Sequence, residues 1–285
     1  MGTLTGRNCA LILLSLVVGF SAFGHAQVPQ AARESLFLQS AAGILERDYT
    51  DANTSYLLLD VNSGALLASH WQGYDKPIPL GSLVKPFTAL AYADGHAYRY
   101  PVYECKGKAG GCWQPVPHGK LDVTSAVSVS CNAYFLQMAE AVSLDQVSPV
   151  AQSFGLERPD AGSTSPNLIG LGEKWRIAPI RMAQAYLELF HRKNQPGVAP
   201  ILEGMRLSAR RGTGAGVDRG LKHATALAKT GTAACTHSPK SATDGFVVVL
   251  VPADQPEILL LMRVHGGAGA QAAELAGQAL GKMEE

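Results

Sequence analysis

Strand-like apolar runs stand at both ends of this chain, and helical patterns fill the middle. Near the N-terminal end, SYLLLDVNSGALLASHW places two apolar runs around Asn62-Ser63-Gly64. Such runs about a short Gly-containing turn predict a β-hairpin. Near the other end, HATALAKTG, DGFVVVLVP and EILLLMRVHG predict three strands, and the Ala-rich segment 269–283 predicts a closing helix. Between them, residues 83–93, 123–141 and 179–191 carry apolar residues at helical spacing. Pro86 falls in a first helical turn, where its missing N–H costs little. A further helical stripe over 27–50 uses Leu36, Ala41, Ile44 and Leu45. Segment 98–120, rich in Gly, Pro and Cys, reads as loop, and 205–220, with four basic residues, reads as a flexible solvated loop. No internal repeat and no low-complexity linker divides this order. It predicts an α+β fold, with one mostly antiparallel sheet built from both chain ends, flanking helices and an inserted helical subdomain.

Residues 1–26 read as a secretory leader. Arg7 is the only charge, an apolar run follows from Cys9 to Phe23, and Gly24-His25-Ala26 is a small-x-small cleavage pattern before Gln27. The run is shorter than the roughly 20 apolar residues of a membrane span; an uncleaved anchor is the alternative. The expectation is a leader at 1–26, a single domain at 27–285, and a periplasmic or secreted location oxidising enough for disulfides. Lys plus Arg number 24 against 23 for Asp plus Glu. That balance excludes the electrostatic footprint of a nucleic-acid binder and the composition of an acidic disordered chain.

Three short motifs carry chemistry. In Ser82-Leu83-Val84-Lys85 the i, i+3 spacing at a helix start puts amine and hydroxyl on one face. A serine is a weak nucleophile until a base takes its proton, and a desolvated lysine can be that base. About one S-x-x-K is expected by chance in a chain this long. Ser130-Cys131-Asn132 offers a second hydroxyl to pass a proton and an amide that both donates and accepts. Ser165-Pro166-Asn167 has the same form, but it sits in a Pro-containing loop rather than before a helix. Lys229-Thr230-Gly231-Thr232 ends an apolar run. Its Lys and Thr groups can hold a carboxylate, Gly231 admits close backbone approach, and an N–H beyond it can serve an oxyanion hole.

Of five cysteines, Cys105, Cys112, Cys131 and Cys235 lie beyond the leader. Cys105 and Cys112 bracket CKGKAGGC, a short loop that a disulfide would staple, and that pair is favoured among three possible connectivities. Cys131 and Cys235 are then buried thiols or a second pair. Zinc competes weakly, because the Cys105–Cys112 spacing is wide for a knuckle and His118 is the only nearby His. The expectation is no metal.

S-x-x-K, S-x-N and K-T-G at 82, 130 and 229, in that order, form the motif set of active-site-serine penicillin-recognising enzymes. The chain resembles the transpeptidase domain of penicillin-binding proteins. TSYLLLDVNSGALLA, CWQPVPHGKLDVTSAVSVSCNAYF, LIGLGEKWRIAPIRMAQAYLELF and DGFVVVLVPADQPEILLLMRV extend the likeness over about residues 54–280. The resemblance implies a β-lactamase/transpeptidase-like fold and a D,D-transpeptidase or D,D-carboxypeptidase acting on peptidoglycan stem peptides. It implies Ser82 as acylated nucleophile, Lys85 as general base, Ser130 as proton relay and Lys229 as its electrostatic partner. Asn132 would hold the substrate backbone, and Thr230, Gly231 and Thr232 would line the carboxylate site. It implies β-lactams as ligands, cell-wall synthesis proteins as partners, and no cofactor; the oligomeric state stays open. Too few residues separate the expected cleavage site from the hairpin for the usual non-catalytic pedestal. The compact motif spacing makes a class D-like serine β-lactamase one alternative, and a slowly acylating β-lactam sensor or cell-wall binding module another. Glu173 reads as a loop carboxylate rather than a deacylation base, and Trp175 as either core or cleft.

Overall fold

Along each long strand, successive side chains enter two different hydrophobic layers. This is why the strand runs are apolar throughout instead of alternating. The computed structural model describes residues 1–2, 30–236 and 241–285, with only the backbone of 30–35. The expected leader and its cleavage site therefore lie, but for residues 1 and 2, outside the described residues. None of the described helices is long and apolar enough to cross a membrane.

Helix α1 (Gln30–Asp48) leads to β1 (Thr54–Asp60) and β2 (Leu66–His70), the expected hairpin. Its turn is held by Asp60, whose carboxylate accepts from the Asn62 N–H at 2.9 Å and the Ser63 hydroxyl at 2.6 Å. Leu36 departs from the expected stripe of α1 and is 61% exposed, whereas Ala41 and Leu45 are buried. A two-residue strand, β3 (Ile78–Pro79), precedes a 3₁₀ turn at Gly81–Val84 and α2 (Lys85–Asp94), in which Pro86 sits in the first turn. The segment expected as loop contains a small hairpin, β4 (Tyr103–Cys105) with β5 (Gly119–Leu121).

The helical pattern over 123–141 divides into α3 (Val123–Ser128) and α4 (Asn132–Glu140). The break is conformational, because Ser130 has φ +49° and cannot continue a right-handed helix. Next come α5 (Leu144–Ser153), α6 (Ser165–Leu168), β6 (Arg176–Ile177) and α7 (Pro179–His191), the last as expected. The expected flexible loop at 205–220 is instead the end of α8 (Val198–Arg211), a tight turn, and α9 (Gly216–Gly220). Ala209 and Val217 in it are fully buried, so its arginines line the outer side of a packed segment. Strands β7 (Leu227–Ala234), β8 (Thr243–Val251) and β9 (Ile258–His265) and helix α10 (Gly269–Met283) close the chain.

The main sheet has the order β2-β1-β9-β8-β7 and is antiparallel throughout. β1 joins β9 from Thr54 opposite Val264 to Asp60 opposite Ile258, so both chain ends build one sheet. On one face Leu58, Val247, Val249 and Leu260 pack with α1 and α10 through Leu45, Ala273 and Ala276. On the other, Leu57, Phe246, Val248 and Leu261 meet the helical layer through Leu83 and Phe87. Helix α2 is buried from Lys85 to Ala93 and is the centre of that layer. Phe87 packs edge-on to Phe154 and Tyr186, and the Tyr186 hydroxyl donates to the Leu83 carbonyl at 2.8 Å. That bond pins the turn carrying Ser82.

Candidate active site

Three chain segments distant in sequence meet at the junction of sheet and helical layer. The first is the Gly81–Val84 turn with the start of α2. It lies tight against β7: a Cβ on Gly81 would stand 2.2 Å from the Thr232 carbonyl oxygen, and Gly81 has φ +58°. Only glycine tolerates both conditions. Ser82 is half-buried at the cleft, and Lys85 is fully buried behind it.

The second segment is the Val129–Cys131 break. Asp122 caps α3 by accepting from the Ser125 N–H at 2.8 Å. The helix ends at Ser128, the chain reverses through left-handed Ser130, and Cys131 caps α4 in an extended conformation. Backbone bonds from Ser130 to Val127 (3.2 Å) and from Cys131 to Ala126 (3.0 Å) hold the reversal.

The third is β7. Lys229 is fully buried, while Thr230 and Gly231 border the open side. Lys229 Nζ donates to Ser130 Oγ at 2.9 Å and to the Thr230 carbonyl at 2.7 Å. Lys85 Nζ donates to Asn132 Oδ1 at 2.6 Å, to the Ser130 carbonyl at 2.9 Å and to Ser130 Oγ at 3.4 Å. Two buried amines thus share one serine oxygen. Burial lowers the Lys85 pKa to about 7, partly opposed by the nearby Cys131 and Cys112. Burial drives Lys229 well below its ordinary value, and the charge of Lys85 adds to that effect. Desolvation of this kind disfavours the charged form.

A cleft of about 510 Å³ opens over these groups. Ser82, Ser130, Asn132, Thr230, Gly231 and Thr232 all line it. The eight motif residues named from sequence are therefore in one place. Thr232 Oγ1 accepts from the Gly269 N–H at 3.0 Å, tying the cleft to the start of α10. Sequence reasoning missed Thr213, which lines the cleft and accepts from the Thr230 hydroxyl at 2.6 Å. Its only signal was the Gly212–Gly214 bracket. It also missed Trp113 and the Arg219–Glu274 ion pair, which line the same cleft.

Other candidates fall elsewhere. Asn167, in the second S-x-N triplet, donates to the Leu171 carbonyl and holds its own loop. Glu173 pairs with Arg176 at 2.7 Å, half exposed. Trp175 is core, 2% exposed, with its indole N–H on the Glu157 carbonyl. The expected Cys105–Cys112 disulfide is not formed: Cys105, Cys112 and Cys131 are all free thiols. The first two point instead toward His118.

The family model of the penicillin binding protein transpeptidase domain matches residues 50–282. The chain belongs to that family. Its fold is that of solved members at low identity. Pseudomonas aeruginosa PBP2 in complex with WCK 5153 aligns with a TM-score of 0.67 and 18% identity, over 87% of this chain and 76% of that one. The transpeptidase domain of Burkholderia pseudomallei penicillin-binding protein 3 gives 0.65 and 16%, over 88% and 93%. Helicobacter pylori PBP2, solved in complex with MreC, gives 0.67 and 16%, over 87% and 62%. A search of curated proteins finds no match.

Proposed function

We propose that this protein is an active-site-serine D,D-transpeptidase or D,D-carboxypeptidase that acts on peptidoglycan stem peptides through an acyl-enzyme on Ser82. The observation that carries this reading is the convergence of Lys85 and Lys229 on Ser130 Oγ beside Ser82. As an ammonium, Lys85 spends its three N–H groups on Asn132, the Ser130 carbonyl and Ser130 Oγ. Loss of one proton leaves two N–H groups for the two shorter bonds and frees a lone pair on the side of Ser130 Oγ, which lines the cleft. That amine accepts the Ser82 proton as Oγ attacks the penultimate D-Ala carbonyl. The peptide C–N bond then breaks, and the leaving D-Ala nitrogen takes a proton from Ser130 Oγ, which regains one from the Lys85 ammonium, while Lys229 holds the Ser130 oxygen in place. The backbone N–H groups of Ser82 and Thr232 serve the tetrahedral oxyanion, and the abutment of Gly81 on Thr232 supports their proximity. Asn132 binds the substrate backbone, and Thr230 and Thr232 bind the terminal carboxylate. An amine or water then resolves the ester.

The leader pattern at 1–26 supports a site of action outside the cytoplasm, where the substrate lies. The Helicobacter pylori neighbour, solved with MreC, supports a cell-wall synthesis partner for this chain as well.

Purified protein mixed with fluorescent penicillin tests the assignment. The expected result is one long-lived adduct per chain, absent in Ser82→Ala. Rapid release of the label makes the protein a β-lactamase. No adduct in the wild type removes Ser82 as nucleophile. Mass spectrometry of a stem pentapeptide, with and without an acceptor amine, then separates cross-linking from hydrolysis.

A further inference from the structure

The β4–β5 hairpin leans on the Ser130 reversal, and four side chains meet where they touch. Cys105 Sγ lies 3.4 Å from His118 Nδ1, Cys112 Sγ lies 3.6 Å from the same nitrogen, and Cys112 Sγ lies 3.8 Å from Cys131 Sγ. All four donor atoms fall within 4.8 Å of one another. The three sulfurs are buried, and His118 is half-buried.

These separations discriminate between two chemistries. A disulfide needs sulfurs about 2.0 Å apart, and no such bond joins Cys105, Cys112 and Cys131. Zinc bonds of about 2.3 Å to sulfur and 2.0–2.1 Å to nitrogen give tetrahedral edges of about 3.8 Å for S···S and about 3.5 Å for S···N. The three closest contacts match those edges. A second observation concerns Cys105, whose sulfur accepts the Gly107 N–H at 3.4 Å. A backbone donor on a buried sulfur suits a thiolate, as outer-shell hydrogen bonds to metal ligands do.

We propose that Cys105, Cys112, Cys131 and His118 bind one Zn²⁺ tetrahedrally, and that this ion fixes the conformation of the Ser130 turn. Binding releases three thiol protons to solvent, and the imidazole coordinates in its neutral form through Nδ1. Four protein ligands close the coordination shell, so the ion is structural and takes no part in acyl transfer. Its position gives it a specific task. Cys131 stands between Ser130 and Asn132, and the other three ligands come from the hairpin. The metal therefore ties that hairpin to the residue between the two cleft groups. It holds Ser130 in its left-handed conformation, φ +49°.

The test begins with zinc content, which does not depend on the acyl-transfer assignment. Protein purified under reducing conditions is measured by plasma mass spectrometry beside Cys112→Ser and His118→Ala. The expected result is loss of one zinc equivalent in Cys112→Ser. In His118→Ala, at a half-buried position, zinc affinity falls at least about tenfold. Wild-type protein covers the case of a variant that fails to fold: chelator should release zinc with a fall in Tm, and added Zn²⁺ should restore it. Cobalt substituted for zinc should show the visible bands of tetrahedral thiolate coordination. Zinc content unchanged in both variants overturns the proposal. So does a Cys105–Cys112 disulfide found by non-reducing peptide mapping.

Discussion

At the scale of single residues, the cleft depends on two amines kept in a place that does not favour their charge. Lys85 has its pKa lowered to about 7 by burial. In the proposed mechanism Lys85 must be neutral to act as base, so acylation by a β-lactam should rise with pH through about 7 and level off above it. Stopped-flow acylation rates between about pH 5.5 and 9 check this, and a flat profile would sink the role of Lys85. Replacing Lys85 by Ala should slow acylation by about 10²- to 10⁴-fold, the range for loss of a general base. The three motifs were legible because side-chain chemistry is written directly in residue type and order. Thr213 was not legible, since its part in the site is one hydrogen bond to Thr230 across a fold that brings α8 beside β7. The Cys105–Cys112 pairing misled for a similar reason. Short spacing suggested a bond between two residues, whereas the structure adds Cys131 and His118 from beyond the loop.

At the scale of elements, the hairpin, α7, the three last strands and α10 were readable because period and turn residues agreed in each. The reading failed where backbone conformation or packing overruled pattern. One apolar period over 123–141 concealed the left-handed Ser130 that divides α3 from α4. Arginines in the last turn of α8 resembled a loop, although its other face is buried. The contact of the Ser82 turn with β7 is equally invisible in sequence and is testable. In Gly81→Ala, the new Cβ meets the Thr232 carbonyl at φ +58°. It should lower stability by at least about 1 kcal/mol and sharply reduce acylation, because the turn must move off the strand. Calorimetry and penicillin labelling measure the two effects separately, and wild-type values in both would contradict the proposed abutment.

At the scale of the whole molecule, one sheet holds two layers together. Helix α10 approaches α9 backbone to backbone: a Cβ on Gly277 would stand 2.3 Å from the Gly216 carbonyl oxygen. Leu260, fully buried in β9, sits between α10 and the neighbouring strands. Leu260→Ala should cost about 2–5 kcal/mol, seen as a single lowered unfolding transition; two separate transitions would show the layers to be independent. The pairing of β1 with β9 has a temporal meaning as well. As the chain is synthesised, the first strand is made early and its sheet neighbour almost last. Ser82 and Ser130 are polymerised well before Lys229, and the strand carrying Lys229 reaches β1 only through β8 and β9. A polypeptide cut short by interrupted translation therefore carries a serine with no assembled cleft. The proposed reactivity would arrive with the last strands, and an incomplete product is left with an unpaired edge on which another chain can pair.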